Sequence, residues 1–211
     1  MGKDNVAWLV FSIAVLAYVP LFIGGRLAPS EINVFLWCAW LWLSFLFLWS
    51  SKAQGFESWR LPLAFFLGNI LILALAFYQG GYTANLTMTE GIIFVGTLTS
   101  VGVWLFFGIT KKTWSPRIIF WGSIISDIIS FYPLIKQYWG PNTPPSIWTI
   151  TGWAMMLSGV TIQLVYVDRL FEHIKATRHL GRKEWLRRFE SKLFSVEQVI
   201  TIIIAMSVMM W

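Results

Sequence analysis

The most constraining feature of the sequence is a series of long, nearly uninterrupted apolar runs. A helix needs about 20 apolar residues to cross the ~30 Å hydrocarbon core of a bilayer. Only 12% of the 211 residues are charged, against about 25% in a soluble domain, so the polar surface of a globule is missing. We therefore expect an all-α integral membrane protein, surrounded by the lipid bilayer, with seven transmembrane helices: Val6–Gly24, Ile32–Trp49, Leu61–Tyr78, Gly91–Ile109, Ile118–Tyr138, Ile147–Leu170 and Leu193–Trp211.

The distribution of Lys and Arg predicts how these helices are oriented. Cytoplasmic loops of membrane proteins carry an excess of these residues. One set of alternate connections holds only Arg26 and Lys136, whereas the other set is basic throughout, above all in the connection 171–192, which we expect to be cytoplasmic and helical. We expect a multi-pass protein of the inner (cytoplasmic) membrane, with the N-terminus in the cytoplasm and the C-terminus outside. The same clustering explains the net charge of +6 without a nucleic-acid partner.

Two parts of the sequence share an ordered set of features that indicates an internal repeat, as is typical of secondary transporters. The first and fifth spans each contain a proline near their end, Pro20 and Pro133. The loop after each span ends in a Pro-Ser pair, and eight residues after the proline of that pair comes a tryptophan, Trp37 or Trp153. We predict a 3+1+3 layout, with a first three-helix repeat at 1–80, a linker helix at 88–110 and a second three-helix repeat at 115–211. The linker lets both repeats face the same way across the membrane.

This layout resembles the SWEET and PQ-loop superfamily of small-solute transporters. The local match is strongest at residues 126–136, SDIISFYPLIK, followed by Pro145-Ser146 and Trp153, which are similar to the second repeat of bacterial PQ-loop-like proteins. Leucine rather than glutamine follows both repeat prolines. The predicted orientation is also opposite to that of sugar-transporting SWEETs, whose N-terminus usually lies outside. The related nicotinamide riboside transporters share the layout, and their pockets contain Trp and Asn residues.

Three tryptophans and one asparagine within the spans are candidates for a solute-binding site. Trp37 and Trp40 share a face of the second span, and Trp153 is the counterpart of Trp37 in the sixth. Tryptophan rings from the two repeats could sandwich a flat or ring-shaped solute, or they could simply fill the bundle. Asn69 must find hydrogen-bond partners within the membrane, either a ligand or a neighbouring helix.

Asp127 is interpreted as the one acidic residue deep within a span. An aspartate at the centre of a transmembrane helix costs roughly 2.5–3.5 kcal/mol on insertion scales and usually faces the bundle interior for a functional reason. We therefore predict that Asp127 contacts a solute, a cation or a proton; the alternative is a hydrogen-bonded packing residue. Pro20 and Pro133 are either hinges, as the resemblance to SWEET-like folds implies, or positions where the helix ends.

The sequence contains no arrangement that predicts an enzyme, a cofactor or a metal site. His173 and His179 lie in the basic connection without acidic or cysteine partners at metal-ligand spacing. We expect a membrane carrier for a small polar or ring-shaped solute, working by facilitated or proton-coupled alternating access. The alternatives are a non-transporting receptor and an accessory subunit of a membrane complex. A homo-oligomer is compatible with each of these functions.

Overall fold

The regular elements of the protein are helices throughout the part of the chain that the structure describes. This computed structural model describes residues 3–28, 32–56, 59–79, 115–139, 144–169 and 182–210, with ten scattered positions between 88 and 106. Six helices in these ranges are long and apolar enough to cross a membrane, as expected for a multi-pass membrane protein. They are α1 (Lys3–Leu27), α2 (Val34–Ala53), α3 (Arg60–Tyr78), α4 (Ser115–Tyr138), α5 (Ile147–Ile162, continued by a π-helical turn, Gln163–Val167) and α6 (Arg182–Met209).

The predicted spans agree with these helices except at two places. Most of the predicted fourth span lies outside the described residues, although the scattered positions between 88 and 106 have helical backbone; the seven-helix 3+1+3 layout therefore stays a prediction. The last helix begins at Arg182, before the predicted span Leu193–Trp211, so the predicted helical structure of the basic connection is confirmed over 182–192. The second half of the basic connection 171–192 thus belongs to α6, and residues 170–181 lie outside the described part.

Pro20 and Pro133 both lie inside helices. α1 continues from Pro20 to Leu27, and α4 continues from Pro133 to Tyr138. The interpretation of either proline as the end of its helix is therefore wrong. A proline inside a helix removes one backbone hydrogen bond and clashes with the carbonyl four residues earlier, so each helix carries a weakened point near its far end.

The helices pack in a pattern that is preserved when the two sets of three are exchanged. α3 packs against both α1 and α2, and α6 packs against both α4 and α5. Between the sets, α1 packs against α5, and α2 packs against α4. When α1 is exchanged with α4, α2 with α5 and α3 with α6, the list of main helix contacts stays the same. We call residues 3–79 the first unit and residues 115–210 the second unit.

Small residues allow the close contact between α1 and α5. A Cβ added to Gly152 would lie 2.9 Å from the backbone carbonyl oxygen of Ala17, and one added to Gly159 would lie 3.3 Å from Cγ2 of Ile13. Ala14 and Ala17 on α1 are fully buried at this contact. Small residues commonly bring membrane helices together in this way, because dispersion contacts rather than the hydrophobic effect drive helix association in lipid.

An ion pair joins the first and third helices of each unit. In the first unit, Asp4 of α1 lies 3.0 Å from Arg60 of α3. In the second unit, Nε of Arg117 in α4 donates to Glu190 of α6 at 2.6 Å. Asp4 and Arg117 are equivalent positions when the two units are aligned on Pro20 and Pro133. The acidic residue of the pair therefore lies on the first helix in the first unit and on the third helix in the second unit. The same two helices of each unit are joined in both cases.

Candidate functional site

A cavity lies between the two units, and all six described helices contribute side chains to it. Its walls are mostly aromatic, and its polar groups come from five helices: Tyr18, Ser44, Asn69, Asp127 and Gln198. The free volume of about 40 Å³ accommodates a few water molecules, because one water needs about 10–15 Å³. In this conformation the cavity is therefore large enough for a few water molecules but too small for a ring-shaped solute.

All five residues that the sequence suggests for a solute site line this cavity. Trp37 and Trp40 reach it from α2, Asn69 from α3, Asp127 from α4 and Trp153 from α5. Each of these side chains is at least nine-tenths buried. The structure therefore brings together residues that are up to 116 positions apart in the sequence.

Trp40 is the centre of the aromatic cluster. Its ring lies edge-on to Trp37 at 5.1 Å and to Trp153 at 5.8 Å, and its centroid is 5.1 Å from that of Phe131. Edge-to-face packing places the positive ring edge on the negative ring face. Trp37 and Trp153 do not form an open slot in this conformation, because Trp40 contacts both rings.

A chain of polar contacts connects Trp40 to Asp127. Nε1 of Trp40 donates to Oγ of Ser130 at 2.7 Å, and Ser130 in turn donates to the backbone carbonyl of Asp127 at 2.7 Å. Ser130 Oγ also lies 3.3 Å from Oδ1 of Asp127. Since Trp40 belongs to the first unit and Asp127 to the second, this chain crosses the interface between them.

Asp127 is paired with two residues of α6. The side-chain amide of Gln198 donates to Oδ2 of Asp127 and, at 2.9 Å, to Oε2 of Glu197. The carboxyl groups of Asp127 and Glu197 also lie within hydrogen-bonding reach of each other. Both side chains are at least nine-tenths buried. We call Asp127 and Glu197 the carboxyl pair.

Asn69 has its own network inside the first unit. Its Oδ1 accepts from the hydroxyl of Tyr18 at 3.0 Å, and its Nδ2 donates to Oγ of Ser44 at 3.3 Å. Gly68 leaves room for this arrangement, because a Cβ at that position would overlap the Tyr18 ring. Asn69 thus ties all three helices of the first unit together at the cavity wall. The predicted interhelical hydrogen bond is present, which does not exclude contact with a solute.

The third helix of each unit presents the same pair of residue types to the cavity. In α3 these are Phe65 and Asn69, and in α6 they are Phe194 and Gln198, four residues apart in both cases. Each carboxamide contacts a side chain of the first helix of its own unit, Tyr18 for Asn69 and Asp127 for Gln198. The repeat therefore extends to side chains, in addition to the helix contacts.

A second, smaller pocket lies beyond Trp37 and Trp153, towards the end of α1. Its walls include Leu21, Leu134 and Thr149, and both tryptophans line it as well as the central cavity. The two tryptophans thus form part of the wall that separates the two spaces. Leu21 and Leu134 are the residues that follow the two repeat prolines.

Sequence reasoning missed Glu197 and Gln198. The interpretation of Asp127 as the one acidic residue deep within a span is wrong, because Glu197 lies in the middle of α6 and is 5% exposed. Placing the last span at Leu193 put Glu197 near a membrane surface. The spacing of Glu190, Phe194, Glu197, Gln198 and Thr201, which all lie on one buried face, would have indicated a longer helix with a polar inner face.

Comparison with family models, curated proteins and solved structures finds no match to this chain. Among the described residues no group of three or more His, Cys, Asp or Glu side chains is placed to hold a metal ion. The site is therefore characterised by its own geometry: an aromatic cavity between two similar units, with a carboxyl pair in one wall.

Proposed function

We propose that the protein is a carrier of the SWEET and PQ-loop type for a small polar or ring-shaped solute. The observation that carries this proposal is the position of the cavity, between the two units and in contact with all six described helices. A site at the interface of two repeats is reached from either side when the repeats rock against each other. The predicted 3+1+3 layout resembles that superfamily and agrees with this proposal.

The wall formed by Trp37 and Trp153 suits alternating access. The central cavity and the second pocket share these two residues, so a movement that separates the rings would join the two spaces. Pro20 and Pro133 lie near this level in α1 and α4, because Leu21 and Leu134 line the second pocket. In the proposed cycle both prolines act as hinges, with the second pocket on the outer side of the membrane.

The first experiment is a thermal-shift screen of the purified protein against sugars, amino acids, nucleosides and vitamins. A ligand that binds only the folded state raises its apparent stability. We expect at least one class to give a shift that Trp153→Ala abolishes. Trp148→Ala is the matched control, because Trp148 lies on the same helix but is 41% exposed and does not line the cavity.

Uptake of the same solute into proteoliposomes then distinguishes the candidate functions. Flux that is lost in Trp153→Ala and kept in Trp148→Ala supports the carrier. Binding without flux would favour the receptor function instead. No shift with any class, and no flux, would contradict both and favour an accessory subunit.

A further inference from the structure

The central cavity combines aromatic walls with the carboxyl group of Asp127. Eight of its lining side chains are aromatic, the three tryptophans among them, and none of its lining residues is Lys, Arg or His. The face of an aromatic ring attracts a cation, most strongly for tryptophan, and the attraction grows when the cation is desolvated. A cavity of this kind is suited to a positively charged organic group.

The carboxyl pair needs at least one proton in the observed arrangement. Asp127 and Glu197 lie within hydrogen-bonding reach of each other, and two ionised carboxylates only accept hydrogen bonds. Oε1 of Glu197 is buried and receives no donor from the described residues. Protonation of this oxygen makes Glu197 a neutral hydrogen-bond donor.

Among the residues that the structure describes, no cationic side chain is paired with Asp127 or Glu197. The side-chain amide of Gln198 donates to both carboxyl groups, and Oγ of Ser130 lies 3.3 Å from Oδ1 of Asp127. Thr201 donates to the backbone carbonyl of Glu197. On α6, Glu190 is paired with Arg117, and Lys192 contacts Ser191. From α5, Asp168 accepts from Ser195 and Gln163, and from α1, Tyr18 donates to Asn69; α2 and α3 bring no charged side chain to the cavity.

Neutrality of the site decides how a cation would enter. A net charge buried in a low-dielectric interior is costly. Without a ligand we therefore expect both carboxyl groups to be protonated, which makes the pair neutral. When a monocation enters, the pair stays neutral with it only if one proton leaves to water. Asp127 lines the cavity and Glu197 does not; the cation therefore faces Asp127, while Glu197 keeps the remaining proton and donates it to Asp127.

We propose that the cavity binds a small organic monocation, such as a substituted ammonium or a cationic nitrogen ring, in exchange for one proton released from Asp127. The proposal rests on the carrier function and names its substrate class. It also assigns different roles to the two carboxyl groups. Asp127 is the group that contacts the cation, and Glu197 positions Asp127 through a hydrogen bond.

The test uses choline and its uncharged carbon analogue, in which a tert-butyl group replaces the trimethylammonium group. Calorimetric binding to the purified full chain is measured at several pH values and in buffers of different ionisation enthalpy. We expect choline to bind, with about one proton released and affinity rising about tenfold per pH unit where Asp127 is still protonated. The carbon analogue should bind at least tenfold more weakly, because it has the shape without the charge.

Two variants separate the roles of the pair. Asp127→Asn should weaken choline binding at least tenfold and remove proton release. Glu197→Gln is the matched control, because its amide still donates a hydrogen bond to Asp127 as a protonated glutamate does. This variant should keep both the binding of choline and the release of a proton. The melting curve of each variant reports whether it folds, and the Glu197→Gln comparison stands even if Asp127→Asn is unstable.

The outcomes distinguish this inference from the carrier proposal. Equal binding of choline and its carbon analogue, or equal effects of the two variants, would overturn the roles assigned here. A sugar or another uncharged solute that binds and is transported, with no binding of choline, tetramethylammonium or N-methylpyridinium, would overturn the cation site and leave the carrier. Binding of choline without uptake would keep the cation site and overturn the carrier.

Discussion

Asn69 shows how a single polar residue is accommodated in an apolar helix. One carboxamide satisfies Tyr18 on α1 and Ser44 on α2, and all three side chains are buried. Removing the Tyr18 hydroxyl takes the donor from Oδ1 of Asn69, and removing Asn69 leaves Tyr18 and Ser44 only their backbone acceptors, the carbonyls of Phe65 and Leu41. A buried polar group that loses a partner costs more than the hydrogen bond itself contributes. The three residues are therefore expected to behave as a coupled unit.

A double-mutant cycle on Tyr18 and Asn69 tests this coupling. We expect Tyr18→Phe and Asn69→Leu each to lower the free energy of unfolding by about 1–3 kcal/mol, since each takes a hydrogen-bond partner from a buried polar group. The double variant should lose less than the sum, by roughly 0.6–1.7 kcal/mol, the range for hydrogen bonds within membrane proteins. The measurement is reversible unfolding in mixed micelles. Strict additivity would show that the hydrogen bond contributes nothing.

The sequence identified two kinds of site residue: polar residues whose transfer into a membrane is costly in free energy, and tryptophans at equivalent positions of the repeat. Asp127 and Asn69 stand out in apolar runs, and Trp37 and Trp153 stand out through the repeat. Their partners were not predictable in the same way, because Asp127 meets Gln198 across 71 positions through helix packing. Nothing in the local sequence of either residue specifies that contact.

At the level of single helices, hydropathy located five of the described helices well and misplaced the start of the sixth. α6 begins with charged residues, and a search for apolar runs does not detect a helix whose first turns are polar. Its Arg182–Lys192 segment continues directly into the span. The helix contacts that build the cavity depend on packing of small residues, which sequence patterns indicate only weakly.

The contact between α1 and α5 gives a prediction at this scale. Gly152→Ala should destabilise the protein by about 1–3 kcal/mol, because overpacking a close contact forces backbone shifts and the new Cβ would meet the Ala17 carbonyl. Gly122→Ala is the matched control, since nothing lies within 4 Å of a Cβ at Gly122. There the higher helix propensity of alanine should leave stability unchanged or slightly raised. Thermal unfolding of both variants is the measurement, and equal melting temperatures would contradict the packing described here.

For the whole molecule, the bias of Lys and Arg predicts one orientation in the membrane. A short connection joins Leu27 at the end of α1 to Val34 at the start of α2, so α1 ends on the side where α2 begins. The predicted orientation places that side outside the cell. The end of α1 and the end of α2 are therefore expected on opposite sides of the membrane, and a labelled residue at each end reports on the topology.

Thiol labelling in intact cells checks this orientation. In a Cys38→Ala background, which removes the only cysteine of the chain, we expect Leu27→Cys to react with a membrane-impermeant maleimide. Ala53→Cys should react only after the membrane is permeabilised; both native side chains are exposed. The opposite pattern would reverse the orientation. Labelling of both sites from the same side would show that α2 does not cross the membrane.

The two ion pairs, with their charges exchanged, bear on which helices of the two similar units pack together. If α1 docked on α6 instead of α3, Asp4 would meet Glu190, and if α4 docked on α3, Arg117 would meet Arg60. Like charges at such a contact disfavour the wrong partner even where the correct ion pair contributes little. The sign reversal thus discourages a newly inserted chain from assembling hybrid units.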